Sequence, residues 1–391
     1  MVIHLHSGNL DGGVEALLTL LAGQGVARRF GLTHEGPLAQ RLRRLEGVEV
    51  ERIEPTPRWS RPWTVLQARS DLLRRLADIL AAANSRESGT APLKVMVHGA
   101  WMLATLGRAL VNRPGVELIL ALHDVPNPRH LVETRARRVS PSWIAANSRA
   151  TGEAARALWG PEVPVSLLTP PTAPTPAEAL AIRDDPVARA RIRRELGSDP
   201  HDLILLAACR PDPVKGLGVL IDALAGLEES SPSGTVVRLW WAGSARGPRE
   251  EEEAQRLEHL ARSRGLFENG RVRFLGQRSD IPHLLAAVDL LAQTNVGPEG
   301  YGLSFVEALR LGRPVLTTPL GAAREHLDDS CAFWVPPNDP AATAALLDQL
   351  RRNRPMLARA TAQARLRGHE PRFDPQSLLD LWRDPRPERP L

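Results

Sequence analysis

Short aliphatic runs alternate with longer stretches of helical apolar spacing over nearly the whole chain. Runs of four to eight apolar residues bounded by turn residues predict strands, and apolar positions three and four apart predict helices packed over them. In the first half the predicted strands are Val2–His6, Val48–Ile53, Leu93–His98, Val116–Leu122, Trp143–Asn147 and Val163–Leu168. Helical spacing over Gly13–Leu21, Arg61–Ala83 and Ala100–Val111 falls between them. This grammar predicts an α/β fold of parallel sheets covered by helices.

The pattern breaks at LLTPPTAPTPAEA, Leu167 to Ala179, where Pro170, Pro171, Pro174 and Pro176 cannot continue a helix or an inner strand. It then restarts, with strands predicted at Leu203–Cys209, Val236–Ala242, Val272–Leu275, Val288–Leu291 and Pro314–Thr318 and helices at Leu217–Leu227 and Glu250–Arg264. Two Rossmann-like, doubly wound domains are expected, over residues 1–170 and 201–370. A Pro-rich linker and lead-in helix over 171–200 joins them. The last segment, 371–391, holds a helix at Pro375–Trp382 that returns towards the first domain and a tail, DPRPERPL, expected to be disordered. Such a pair of domains predicts ligands in the cleft between them, at the carboxyl ends of strands.

Composition narrows the class. The 391 residues, 43% hydrophobic and 24% charged, suffice for two or three cores and exclude disordered and fibrous proteins. No apolar run reaches about 18 residues and Met1–His6 lacks the basic start of a secretory signal, so a cytoplasmic protein is expected. Cys209 and Cys331 sit in strand-like apolar runs without CxxC spacing, as packing residues rather than zinc ligands. The net charge of +5 is not a nucleic-acid footprint, but residues 1–150 carry 20 basic against 13 acidic residues. Any anionic partner should prefer that half. Arginines such as Arg41, Arg43 and Arg44 are more often simply a solvated helix face. Of 50 basic residues only Lys94 and Lys215 are lysine. Lys94 reads as a remnant of the arginine bias.

Chemistry concentrates in three places. In GPEGYGLSFVEALRLGRPVLTT, Glu299 lies in a loop with Gly300, Tyr301 and Gly302, a helix begins near Leu303, and Glu307 follows one turn in. Free amides at that helix start suit a phosphate or a polarised hydroxyl, and two carboxylates eight residues apart can address one ligand. A plain loop with a capping glutamate would show the same letters. In AACRPDPVKGLGVL, Arg210 and Lys215 flank a strand-to-helix turn, where fixed cations can neutralise a departing diphosphate. In NLDGGVEALLTLLA, Gly12 and Gly13 open the first helix, and Gly243 follows the strand LWWA. His98 and His123 end predicted strands, and Asp124 is expected to cap the next helix. No Asp-x-Asp metal pair stands at a suitable strand end.

These residues resemble the retaining glycosyltransferases of family 4, which have the GT-B fold. The resemblance rests on Glu299-x7-Glu307, ALRLGRPV and the Arg210-x4-Lys215 pair. It implies that Glu307 binds the ribose of a nucleotide sugar, that Glu299 contacts the donor sugar, and that Arg210 and Lys215 neutralise the diphosphate without a metal. It further implies that Gly12, Gly13, Gly243, Gly300, Tyr301, Gly302 and Leu303 line the donor, and that His123 contacts the transferred sugar. Gly276, Thr294 and the Gly321–Ala323 turn fall in family order, while Asn295 reads better as a turn residue. The chain departs from the family at LLTPPTAP, at GSARGP, and in the Arg- and Trp-rich stretch from Arg52 to Trp63. The implied activity is transfer of a sugar from a nucleotide diphosphate donor to a hydroxyl acceptor, with no cofactor; the basic excess of residues 1–150 suits a lipid-linked or anionic acceptor and peripheral membrane contact through the first domain. A nucleotide-sugar epimerase and a non-catalytic nucleotide-sugar-binding protein share the architecture.

Overall fold

Aliphatic runs such as VELILAL and LILLAA have no polar face, so they are satisfied only between two helix layers. The computed structural model, which describes residues 2–8, 12–84, 92–228 and 234–387, places them there. The chain divides into Met1–Pro171 with Pro375–Leu391, and Thr172–Asp374.

The first unit is built on β1 (Val2–His6), β2 (Arg29–Leu32), β3 (Glu49–Arg52), β4 (Leu93–His98), β5 (Val116–Leu122), β6 (Trp143–Ala146) and β7 (Val165–Leu167). Their helices are α1 (Gly13–Gly23), α2 (Pro37–Arg43), α3 (Pro62–Asn84), α4 (Ala100–Leu110), α5 (Leu131–Ala136) and α6 (Arg149–Trp159). The sheet runs β3-β2-β1-β4-β5-β6-β7, all parallel. Cores lie on both faces, one around Val95, Val97, Leu103 and Leu120, the other around Leu18, Phe30, Met96 and Trp143.

The second unit opens with α7 (Ala177–Asp184) and α8 (Pro186–Glu195) and continues through β8 (Leu203–Ala208), α9 (Leu217–Ala225), β9 (Val237–Ala242), α10 (Pro248–Ser263) and β10 (Val272–Gly276). Then come α11 (Ile281–Ala287), β11 (Leu290–Gln293), α12 (Leu303–Arg310), β12 (Val315–Thr317), α13 (Ala323–His326) and β13 (Ala332–Trp334). Helices α14 (Pro340–Arg352) and α15 (Arg354–Arg367) complete it, and α16 (Pro375–Arg383) belongs to the first unit. The sheet order is β10-β9-β8-β11-β12-β13, again all parallel.

Several elements depart from expectation for local reasons. The run Val288–Leu291 is not the strand: Val288 ends α11, the Asp289 carboxylate accepts from the Ile204 amide at 2.8 Å, and β11 begins only at Leu290. Strand β2 escapes sequence reading because RFGL is short and Gly31 packs under Leu5, where a Cβ would meet Leu5 Cδ2 at 2.6 Å. Strand β13, three residues long, escapes likewise. Asp124 does not cap a helix, since α5 starts at Leu131 behind His130. Both cysteines are free.

The C-terminal tail is anchored as far as it is described. Lys94 Nζ donates to Asp384 Oδ1 at 2.7 Å and to the Pro385 carbonyl at 2.9 Å, so Lys94 is no idle remnant, and residues 384–387 are held rather than disordered. Residues 388–391 of that tail lie outside the described residues. Trp382 of α16 is buried and donates to the Thr169 carbonyl at 2.9 Å.

Buried arginines close helix ends in the second unit. Arg271 reaches the Leu224 and Leu227 carbonyls beyond α9, and Arg313 and Arg193 take the Leu285 and Ala287 carbonyls at the end of α11. Terminal carbonyls lack intrahelical partners, and a planar guanidinium serves two or three at once.

Candidate functional site

Each sheet reverses its direction of growth once. In the second unit the chain builds outward from β8 to β9 and β10, then returns to place β11 on the other side of β8. The loops leaving β8 and β11 therefore diverge, and the notch at such a switch point is where doubly wound sheets bind ligands. Both predicted cations follow β8, and Glu299 follows β11.

Local backbone brings Lys215 to Glu299. After β8 the Asp212 side chain accepts from the Val214 amide at 3.0 Å and caps the tight turn Pro213–Lys215. Gly216 ends that turn at φ +68°, a left-handed conformation that opens α9. Here its Cα lies against the Thr294 carbonyl, which a Cβ would approach to 1.8 Å. The Gly216 carbonyl accepts from Thr294 Oγ1 at 2.8 Å, and the Val214 carbonyl from the Val296 amide at 2.9 Å. The β8 and β11 loops are thus sewn together.

Glu299 is buried within this seam. Its Oε2 accepts from Lys215 Nζ at 2.8 Å, Gln293 Nε2 at 2.6 Å and Asn295 Nδ2 at 2.9 Å. Burial pushes the carboxyl pKa up, but Lys215 and the two amides outweigh it and hold the group below the usual carboxylate range. Its backbone is clamped as well. Gly321, at φ +62°, comes so close that a Cβ would lie 2.2 Å from the Glu299 carbonyl oxygen, which accepts from the Ala322 amide at 2.9 Å. The Gly321–Ala323 turn thus touches the site itself.

The four charged residues do not form one cluster. Arg210 turns to Glu250 Oε1 on α10, with Asp212 at 3.9 Å, and Glu307 forms neither a hydrogen bond nor an ion pair with Lys215 or Glu299. Arg210, Lys215 and Glu299 share a neighbourhood all the same: burial pushes the Cys209 thiol up to about 12, and that thiol feels the three together. Glu307 stands on α12 behind Gly302, which opens the helix, and Leu303, its first residue. Burial pushes the Glu307 carboxyl up to about 7, against a smaller opposing pull from Arg310.

A raised native pKa means the folded state holds its proton longer than the unfolded chain, so this group's contribution to stability is full at low pH. It is lost as pH rises from the ordinary 4.5 through about 7. In the melting of the ligand-free protein from pH 5 to 8 this decline, at most about 1 kcal/mol per pH unit, is superposed on a rise from buried histidines such as His98 and His123, whose pKa values burial lowers. It is therefore read as a difference: Glu307→Gln should gain stability with pH more steeply than the wild type by up to that amount, and identical slopes remove Glu307 as a source.

Other predicted donor residues occupy plainer positions. Tyr301 is a core residue, 4% exposed, with its ring edge on His326 at a centroid distance of 4.4 Å. Gly300 adjoins Glu299 in the loop, and the Gly243 amide donates to the Gly276 carbonyl at 2.8 Å. Asn295, read from the sequence as a turn residue, is instead a direct ligand of the Glu299 carboxylate. Gln293 and Glu250 escaped sequence reasoning. A polar residue ending the aliphatic strand LLAQ was the signal for Gln293. Glu250 lay hidden among the four consecutive glutamates of α10, and its other oxygen takes the Arg246 amide at 2.9 Å, tying down the divergent GSARGP segment.

The first unit has its own switch point between β1 and β4. Helix α1 starts at Gly13 behind an extended Gly12, with no side-chain hydrogen bond at the cap among the described residues. Asn9 to Asp11 of the same predicted loop lie outside the described residues. Four histidines gather here. His4 Nδ1 is 3.0 Å from His98 Nε2, and His98 Nδ1 is 2.9 Å from His123 Nε2. His6 Nδ1 accepts from the Gly8 amide at 3.0 Å, and its Nε2 faces Glu15 at 3.5 Å. Burial drives His4 down to about 4 and His123 to about 3, and His98 also falls well below the ordinary range. The Asn147 side chain grips the His123 carbonyl at 2.6 Å.

Among known proteins, residues 188–367 match the family described as glycosyl transferases group 1. The chain is 27% identical over 307 residues to a D-inositol 3-phosphate glycosyltransferase of Xylanimonas cellulosilytica, covering 74% of this chain and 72% of that protein. It is 37% identical over 145 residues to a phosphatidyl-myo-inositol mannosyltransferase of Mycobacterium leprae, covering 36% of this chain and 35% of the relative. Among solved structures it resembles Anabaena Alr3699/HepE in complex with UDP, with a TM-score of 0.74, 25% identity and 97% of both chains covered. Sharing only the fold, WaaG, a glycosyltransferase of lipopolysaccharide biosynthesis, superposes with a TM-score of 0.68 at 16% identity.

Proposed function

The chain belongs to the group 1 glycosyltransferases of GT-B fold, and from that premise we propose that it transfers a sugar from a nucleotide diphosphate donor to a hydroxyl acceptor with retention and without a metal. The observation that carries this reading is the Lys215–Glu299 pair at the switch point of the second sheet. A diphosphate that leaves carries new negative charge, and a fixed ammonium within a desolvated seam stabilises that charge more than water does. Glu299, held ionised, accepts from hydroxyls of the donor sugar. Glu307 accepts from the ribose, and Arg210, released from Glu250, adds a second cation at the diphosphate. The amides opening α12 take phosphate oxygens, and the family resemblance assigns His123, in the first unit, to the transferred sugar.

The relative crystallised with UDP makes a UDP-sugar the first donor to test. An anionic acceptor suits the basic excess of residues 1–150 and the inositol phosphate named for one relative. Trp63 and Leu66, 57% and 62% exposed beside Arg58 and Arg61, would meet the interface of an anionic membrane carrying a lipid-linked acceptor at its inner face. No described helix is long and apolar enough to cross a membrane.

The test is release of nucleoside diphosphate across a panel of nucleotide sugars, with soluble inositol phosphate or phosphoinositide vesicles as acceptor, before and after chelation. Acceptor-dependent release that survives the chelator is expected. Ring-hydroxyl inversion without acceptor, or tight binding without turnover, overturns the transferase reading; a strict magnesium requirement overturns the metal-free part.

A further inference from the structure

His4 of β1, His98 of β4 and His123, just past the end of the neighbouring β5, form one stacked row, with ring centroids 5.2 Å apart at both steps. A neutral imidazole has one N–H and one bare nitrogen. Each contact between rings needs one hydrogen between its two nitrogens. Three neutral rings joined by both contacts therefore have only two collective arrangements: every proton on Nδ1, or every proton on Nε2.

The far end of the row chooses between them. The His4 ring is 2% exposed and stacks on Phe30 at 5.5 Å, and no described residue accepts a hydrogen bond from its Nε2. With so little of the ring open to water, an N–H there that no described group accepts is more costly than a bare ring nitrogen. Protons on Nδ1 leave the bare nitrogen at His4 and put the one remaining N–H on Nδ1 of His123, whose ring is only partly buried. His6 and Glu15, the other titratable groups beside the row, are already paired with each other, and the Gly8 amide occupies His6 Nδ1. We propose that His4 and His98 are positioning residues that lock His123 in its Nδ1–H tautomer, so that the ring offers a ligand hydroxyl a donor and never an acceptor. The locked tautomer stands on this geometry alone; its use on a transferred sugar rests on the glycosyltransferase reading.

Long-range proton–nitrogen spectra of the whole ligand-free protein, with its histidines 15N-labelled, read each tautomer directly. Nδ1–H at His4, His98 and His123 with Nε2–H at His6 is expected. Nε2–H or an averaged pair at His123 overturns the lock. In His98→Ala the His123 signals should become those of a tautomer mixture, and kcat should fall about tenfold with the donor KM within about twofold. His98→Asn, whose amide N–H reaches the Nδ1 position, should restore both. An unchanged His123 spectrum in His98→Ala also overturns the proposal. A locked spectrum in a protein that transfers no sugar supports the lock and sinks only the transferase reading.

Discussion

Lys215→Ala is expected to lower kcat about 30- to 1,000-fold, the equivalent of about 2–4 kcal/mol of lost stabilisation of a leaving diphosphate. The substitution also strips Glu299 of its one cationic partner among the described residues, leaving a buried carboxylate on two amides, Gln293 and Asn295. Its pKa should then climb, because burial is the largest influence on it and Lys215 the main opponent. The double variant Lys215→Ala/Glu299→Gln separates the effects. If lost charge stabilisation dominates, the double variant stays as slow as the single; if the stranded carboxylate dominates, part of the rate returns. Wild-type turnover in Lys215→Ala would remove the lysine from the chemistry.

Gly216→Ala should do comparable damage without touching a charge. Its Cβ would lie 1.8 Å from the Thr294 carbonyl oxygen, a main-chain atom that cannot swing aside, and the left-handed φ disfavours any side chain. The β8 and β11 loops must part, which separates Lys215 from Glu299. A stability loss of about 2–4 kcal/mol is expected, with donor affinity falling in parallel. Melting temperature and donor titration check this. An unshifted melting point with normal donor binding would mean the seam tolerates opening.

How much of this the sequence disclosed follows from the range of the forces involved. Strands buried on both faces are written as unbroken aliphatic runs, so β1, β4, β5, β8 and β9 were legible to within a residue or two. Strand β2 was not, since Gly31 serves contact with Leu5 rather than the aliphatic signature. In the site, residue types at strand ends pointed to Lys215 and Glu299, and to the turn that carries Gly216. What the letters could not convey is which partner each polar side chain takes. Thus Arg210 was expected beside the carboxylates, whereas the acid on α10 captures it, and Asn295 was expected merely to turn the chain, whereas its amide supports Glu299. The histidine row was out of reach for the same reason, because His4 gave no sign that it would meet a residue 94 positions away.

The scarcity of ammonium groups makes the chain a two-channel reporter. An acylating reagent specific for amines finds just two side-chain targets, one tethered to Asp384 and one beside Glu299. With 20% and 24% of their side chains accessible, the two are similarly open to solvent. Mass-spectrometric footprinting with and without a nucleoside diphosphate should therefore show protection at position 215 alone, normalised internally by position 94. Occupancy of the proposed donor site could be followed in this way before any acceptor is known, and equal labelling at both positions would place the diphosphate elsewhere.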